Sequence, residues 1–245
     1  MPRIHLVSSA PASEKAVHDI LVSSPVVGVS CKGANAGGKG TIYLIVVATL
    51  QGDVYAFDVR RDRNIILDGG LIRLFQSTDV TKVIHDCAAD AAALHRGFGV
   101  ALRNVFDTQV AQRVLMEEYG LPPRMISKHA LFAKYDIVGY TPSAQLKRLL
   151  QEDQHVWARR PLNKDMLNTA AADVVPLVTV LYDTLKSVLK PETADWFECL
   201  CNNHRSSQLG SRKKKTTIKG DNQARRSVNE SFEMSVVKFK EPKED

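Results

Sequence analysis

Two aspartates stand where a carboxylate needs a reason to be. Asp90 lies in KVIHDCAADAAALHRGFG and Asp173 in NKDMLNTAAADVVPL. Each sits among alanines on an expected helix, at a position that would face a sheet edge rather than open solvent. Carboxylates converging on such an edge could hold hard divalent cations, which take oxygen ligands. The strand expected to lie beside them is VVGVSCKG, residues 26–33. It presents Ser30, Cys31 and Lys32, a hydroxyl, a thiol and an ammonium, and no carboxylate. Asp58, Asp86 and Asp107 are the remaining candidates to supply missing ligands. Asp107 is the best placed, because FDTQ starts a helix directly after a core strand.

Other residues carry two readings each. His85, at a strand end, reads first as a hydrogen-bonded core histidine and second as a catalytic base. Trp157 reads as a packing anchor or as a platform for a stacked base. Arg159 and Arg160 precede Pro161 in a loop and could pack there or contact phosphate. The cysteines, Cys31, Cys87, Cys199 and Cys201, form no CxxC pair, so free thiols in a reducing compartment are expected rather than a zinc site.

Hydrophobic spacing and turn residues give the scaffold for these groups. A helix is expected over Ser13–Val22, then three β-rich stretches at Val26–Ser30, Thr41–Thr49 and Val54–Asp58, with a turn at QGD, residues 51–53. The segment GANAGGKG, 33–40, reads as a flexible connection. A short helix at Gly70–Gln76 precedes a strand at Lys82–His85, an alanine-rich helix at Ala88–Arg96 that stops at Gly97, a strand at Val105–Asp107 and a helix at Thr108–Glu118. Further helices are expected at Ser127–Tyr135 and Ser143–Gln151. A last one over Lys164–Leu189 keeps apolar residues three to four apart and should kink at Pro176. Antiparallel strands followed by strand–helix–strand–helix predict an α/β fold with a mixed five-stranded sheet flanked by helices.

Charge divides the chain. Residues 205–245 carry 11 Lys and Arg against 6 Asp and Glu, a net +5, and the other residues a net of only +1. Residues 1–204 therefore read as one domain. Residues 205–245, with SRKKK and ARR, read as a basic disordered tail, either simply solvated or a nuclear-localisation or RNA-contacting arm. No apolar run approaches the roughly 18 residues of a membrane span, and MPRIHLVSSA has no signal-peptide core, so an intracellular protein, cytoplasmic or nuclear, is expected.

The runs KVIHDC…D…L…FG…L.NVFDTQVA and VW..RPL…M…AA.DV..L, with the strand opening VVGVSCKG, resemble the DEDD 3′–5′ exonucleases of the RNase D-like group. The likeness spans about residues 12–190 and is closest to the subgroup around Egalitarian and exonuclease-domain-containing protein 1. It implies an RNase H-like fold and a mechanism in which two metals, held by four acids, activate water and stabilise the scissile phosphate. Matched position by position, the second-motif acid falls on Asp90 and the third-motif acid on Asp173. The Asp-x-Glu of the first strand falls on Ser30 and Lys32. The Tyr or His that orients water falls on Thr169, one helical turn before Asp173. In the resemblance Asp107 is an accessory position beside the site.

Two metal-holding acids are thus retained and two are replaced. The expectation is a nucleic-acid-binding protein, with single-stranded RNA as ligand, whose degenerate site makes it a catalytically impaired scaffold. In this reading Lys32, Arg159 and Arg160 are candidate nucleic-acid contacts, and Lys32 pairs with Asp90 or Asp173 in a metal's place. No cofactor is then expected; Mg²⁺ or Mn²⁺ on Asp90 and Asp173 follows only from the alternative, an active exonuclease with a rearranged site. A third reading is a protein–protein adaptor without nucleic acid. The resemblance further implies ribonucleoprotein partners and a homodimer, with no membrane role.

Overall fold

The computed structural model describes residues 2–34 and 40–209. The connection expected at 33–40 falls largely outside these residues, as does the tail from residue 210. The elements are β1 (Arg3–Val7), α1 (Ala10–Ser23), β2 (Val26–Ala34), β3 (Thr41–Thr49), β4 (Asp53–Phe57), α2 (Leu71–Gln76), β5 (Thr81–Ile84), α3 (Ala88–Phe98), β6 (Val105–Asp107) and α4 (Thr108–Glu118). They continue with α5 (Lys128–Lys134), α6 (Ala144–Glu152), α7 (Lys164–Ala172), α8 (Tyr182–Val188) and α9 (Ala194–Ser206).

The strands form one mixed sheet in the order β1-β4-β3-β2-β5-β6. Strands β2, β3 and β4 are antiparallel neighbours in turn, while β5 runs parallel to β2 and β6 parallel to β5. Alternation along β3 serves two cores. Leu44, Val46 and Ala48 pack on the face covered by α4–α8, and Ile45 and Val47 on the face covered by α1–α3. An apolar strand with both faces buried is what TIYLIVVAT encodes.

The sheet has six strands, not five. The extra one, β1, pairs parallel to β4 at the sheet edge. Its sequence RIHLV buries only Val7, so it lacks the apolar signal of the central strands. Polar groups fix it instead: Arg3 and His5 each reach Asp53 at 2.9 Å. Charged side chains on an edge strand also discourage edge-to-edge pairing.

The helix expected over 164–189 is divided. Helix α7 ends at Ala172, Asp173 caps it, and a wide π-helical turn at Leu177–Leu181 leads into α8. Pro176 explains the break, since it lacks an N–H and its ring would clash with the carbonyl four residues back. Helix α9, not expected from the sequence, buries Leu200 and Cys201 against Val110 and Val114 of α4. It runs through Arg205 to Ser206, past the boundary expected at residue 204, and the Arg205 guanidinium donates to the Leu102 carbonyl.

One close approach brings α7 and β2 together. A Cβ on Gly28, in the middle of β2, would collide with the carbonyl oxygen of Val174. Glycine at this position lets the segment after α7 lie directly on the strand, two residues from Ser30 and one residue after Asp173.

Candidate functional site

The pairing of β2 with β5 ends at Gly28, whereas its pairing with β3 continues to Ala34. Beyond Gly28 the β5 side of the strand is therefore uncovered. Asp90, in the first turn of α3, fills that place: its Oδ2 accepts the Cys31 backbone N–H at 3.1 Å. The carboxylate stands in for the missing strand neighbour. Burial raises the Asp90 carboxyl to about 6, against the lowering effect of that hydrogen bond and of Lys32 and Lys128.

Asp173 approaches the same strand from the opposite core. Ser30 and Lys32, two residues apart, share a face of β2. The Lys32 ammonium donates to Asp173 Oδ2 and, at 3.0 Å, to Ser30 Oγ, and it sits 5.7 Å from the centre of the Trp157 ring. A second ammonium, Lys128 at the first turn of α5, lies 2.8 Å from Asp173 Oδ1. Each carboxylate oxygen thus has its own lysine. Burial alone would raise the Asp173 carboxyl, but the two ammoniums outweigh it and hold the group well below the usual carboxylate range. Burial, and then the Lys32 charge, lower Lys128 to about 8 despite its bond to Asp173.

Lys32 and Asp173 open onto a cleft of about 460 Å³ whose lining also includes Trp157 and Thr169, with Tyr140 and Lys147 at other points of the wall. Thr169 takes no part in the polar centre, because its hydroxyl donates to the Asp165 carbonyl of its own helix at 2.7 Å.

The other candidates lie elsewhere or are otherwise engaged. Asp107 is fully buried and accepts the backbone N–H groups of Asp86, Cys87 and Gln109 at 3.0, 2.8 and 2.9 Å. It caps α4 and clamps the loop that leads into α3, so its role is to hold Asp90's helix in place. Asp58 is equally committed, to Arg160. The Arg160 guanidinium also donates to the carbonyls of Tyr43, Trp157 and Arg159, which ties it into the loop. Arg159 is half exposed and pairs with Asp153 at 2.8 Å. His85 lies 2.9 Å from the Thr108 hydroxyl and 3.1 Å from the Ile126 carbonyl, and burial lowers its pKa; it is a hydrogen-bonded core histidine. Asp86 turns away to His204, at 2.7 Å.

Lys128 is a member of the site that sequence reasoning misses. SKHA marks a helix start, with the Ser127 hydroxyl accepting the Ala130 N–H at 3.2 Å. Nothing local, however, ties that lysine to an aspartate on a helix far along the chain.

The donor set does not fit a pair of hard divalent ions. Among the described residues no three His, Cys, Asp or Glu side chains form a metal-holding group. Asp173 already carries two ammoniums and Asp90 a backbone N–H. A divalent ion about 4 Å from one ammonium would be repelled by roughly 8 kcal/mol at an effective dielectric near 20. What the arrangement can do is present the Lys32 ammonium to the cleft beside the Trp157 ring, with Lys128 fixed on the same carboxylate.

Known proteins are similar to this chain in sequence and in fold. A family model described as 3′-5′ exonuclease matches residues 33–190. The Egalitarian protein homolog of Caenorhabditis elegans is 28% identical over 223 residues, covering 86% of this chain and 39% of that protein. The mouse piRNA biogenesis protein EXD1 is 32% identical over 174 residues, 67% of this chain and 30% of that one. The chain thus spans well under half the length of these relatives. Among solved structures, Trypanosoma brucei RNase D superposes with a TM-score of 0.69 at 16% identity, covering 90% of this chain and 76% of that one. Brucella melitensis NrnC with bound Mg²⁺ gives 0.63 at 17% identity, with 89% and 98% covered. At these identities the structural likeness speaks to the fold, an α/β exonuclease fold of the RNase H-like kind.

Proposed function

This chain belongs to the 3′-5′ exonuclease family, and we propose that it binds single-stranded RNA in the cleft of an exonuclease-like domain that has lost its metal chemistry. The observation that carries the reading is the Asp173 carboxylate held between the Lys32 and Lys128 ammoniums. Where a metal pair would neutralise phosphate, two fixed cations do so without catalysing its transfer. Lysine–phosphate contacts give affinity without sequence preference and with a strong salt dependence. RNA is favoured over DNA as ligand because the relatives include a piRNA biogenesis protein and an RNase D. The resemblance read from the sequence motifs adds to this proposal a scaffold role in a ribonucleoprotein and pairing with a second copy of the chain.

The test compares wild type, Asp173→Ala and the double variant Ser30→Asp with Lys32→Glu on a labelled single strand in Mn²⁺. The expected outcome is binding without shortening for wild type, and 3′ shortening only in the double variant. Metal-dependent shortening by wild type that Asp173→Ala abolishes would overturn the reading in favour of an active, rearranged site. Absence of any RNA retention at low salt would leave an adaptor role instead.

A further inference from the structure

Two hydroxyl residues of this chain are followed by proline: Ser24 before Pro25 and Thr141 before Pro142. A kinase whose pocket offers no acceptor to the next backbone N–H selects proline at that place, since proline has no N–H to leave unpaired. The two dipeptides are equivalent in sequence and opposite in the fold. Ser24 is 2% exposed, caps the end of α1, and its hydroxyl is bonded to Gln51 at 3.2 Å. Thr141 is exposed, in the connection between α5 and α6.

Residues 138–141 are exposed in succession, and Val138 is 97% exposed. Among the described residues the backbone groups of 138–142 make no backbone hydrogen bond. Their partner is solvent, so the segment can be drawn into the extended form a protein kinase holds without breaking a ladder or a helix. Pro142 already disfavours a helical backbone at Thr141.

The same connection forms part of the cleft wall. Tyr140 and Pro142 both line the cleft, so Thr141 is flanked by lining residues on either side. Both sides are pinned to α7: the Tyr140 hydroxyl donates to Asp165 Oδ1 at 2.9 Å and the Ser143 hydroxyl to Asp165 Oδ2 at 2.6 Å. A group attached to Thr141 is thereby held at the mouth. The lining carries Lys32 and Lys147 against Asp173, a small excess of positive charge. A phosphate brings nearly two negative charges at neutral pH and reverses that sign. We propose that Thr141 is a phosphorylation site for a proline-directed protein kinase, and that its phosphate closes the cleft to RNA by charge. Thr141 Oγ1 attacks the γ-phosphorus of ATP. The new O–P bond forms as the bond to the β,γ-bridging oxygen breaks, ADP leaves, and the hydroxyl proton passes to the kinase's catalytic aspartate. The site itself does not depend on what the cleft binds; its effect rests on the RNA-binding reading.

The test incubates the full chain with a proline-directed kinase, ATP and Mg²⁺, locates the phosphate by fragment mass spectrometry, and reads oligouridylate affinity by filter binding. The expected result is phosphate on Thr141 with Ser24 unmodified. RNA binding at low salt should weaken roughly tenfold and return on treatment with a phosphatase. The phosphate is located on the wild-type chain, so misfolding of a variant cannot mimic the result. Thr141→Val should bind RNA equally with and without the kinase. No phosphate on Thr141, or phosphate on Ser24 in preference to it, would overturn the site. Unchanged RNA affinity in the phosphorylated chain would overturn its effect on the cleft. If the unmodified chain retains no RNA, the RNA-binding reading fails, and phosphate on Thr141 still upholds the site.

Discussion

Asp90 and Asp173 reach β2 from opposite sides of the sheet, and the two environments are opposites. Asp90 has a backbone N–H as its direct partner, and burial dominates, raising its carboxyl to about 6. Asp173 is also buried, yet two ammoniums reverse the sign. Burial alone therefore does not decide how a carboxylate behaves here: it prevails at Asp90, and direct contact with two ammoniums overrides it at Asp173. The contrast also assigns the roles. Asp90 completes a strand edge, a task an uncharged acceptor could perform, whereas Asp173 needs its charge.

The largest expected effect comes from removing that charge. Asp173→Ala leaves two largely buried ammoniums facing each other and should cost about 3–5 kcal/mol of stability, read from denaturant unfolding. Asp90→Asn keeps an acceptor for Cys31 and, near pH 4 where the folded state holds Asp90 protonated, should change stability by about 1 kcal/mol or less. Losses of equal size would remove the distinction between the two acids.

Stability against pH separates them further. Asp173 has a folded pKa below its unfolded value near 4, so its contribution is fully present above that value and fades as pH falls through the folded pKa. Asp90 is the reverse: the folded state holds its proton more tightly, so stability from this group declines as pH rises from about 4 to about 6. Unfolding curves across that window should show the benefit of Asp90→Asn growing with pH and the penalty of Asp173→Asn shrinking below pH 4.

A smaller effect concerns the lysines. With Lys128 at about 8, raising the pH past that value removes one of the two cations held on Asp173. RNA affinity should fall between about pH 7.5 and 9 by up to tenfold, and Lys128→Arg, which does not titrate there, should flatten the profile. Smallest of all is Thr169→Ala. Its hydroxyl serves only its own helix, so RNA affinity should move by less than twofold in a filter-binding titration.

The two aspartates are legible in the sequence because each lies in an apolar, alanine-rich helix where a surface role is hard to sustain. The central strands are legible for the same reason, being apolar on both faces. Strand β1 is not, because a strand held by Arg3, His5 and Asp53 at a sheet edge has no apolar period to read. Lys128 is invisible because its partner is tertiary: the loop after α4 and the break after α7 must both form before the ammonium meets the carboxylate. Arg160 keeps two readings in the sequence, packing and phosphate contact, because a sequence does not display the buried Asp58 with which it pairs. Local rules find groups that are out of place; they do not find which distant group makes them welcome.

Gly28 adds a mechanical consequence. The absence of a side chain at position 28 admits the Val174 carbonyl directly against β2, so the closeness of the two jaws is a property of the backbone. Exchanging the charged side chains would leave the glycine that permits this approach in place. Gly28→Ala would do the opposite, leaving every charged group in the sequence while prising Asp173 away from Lys32.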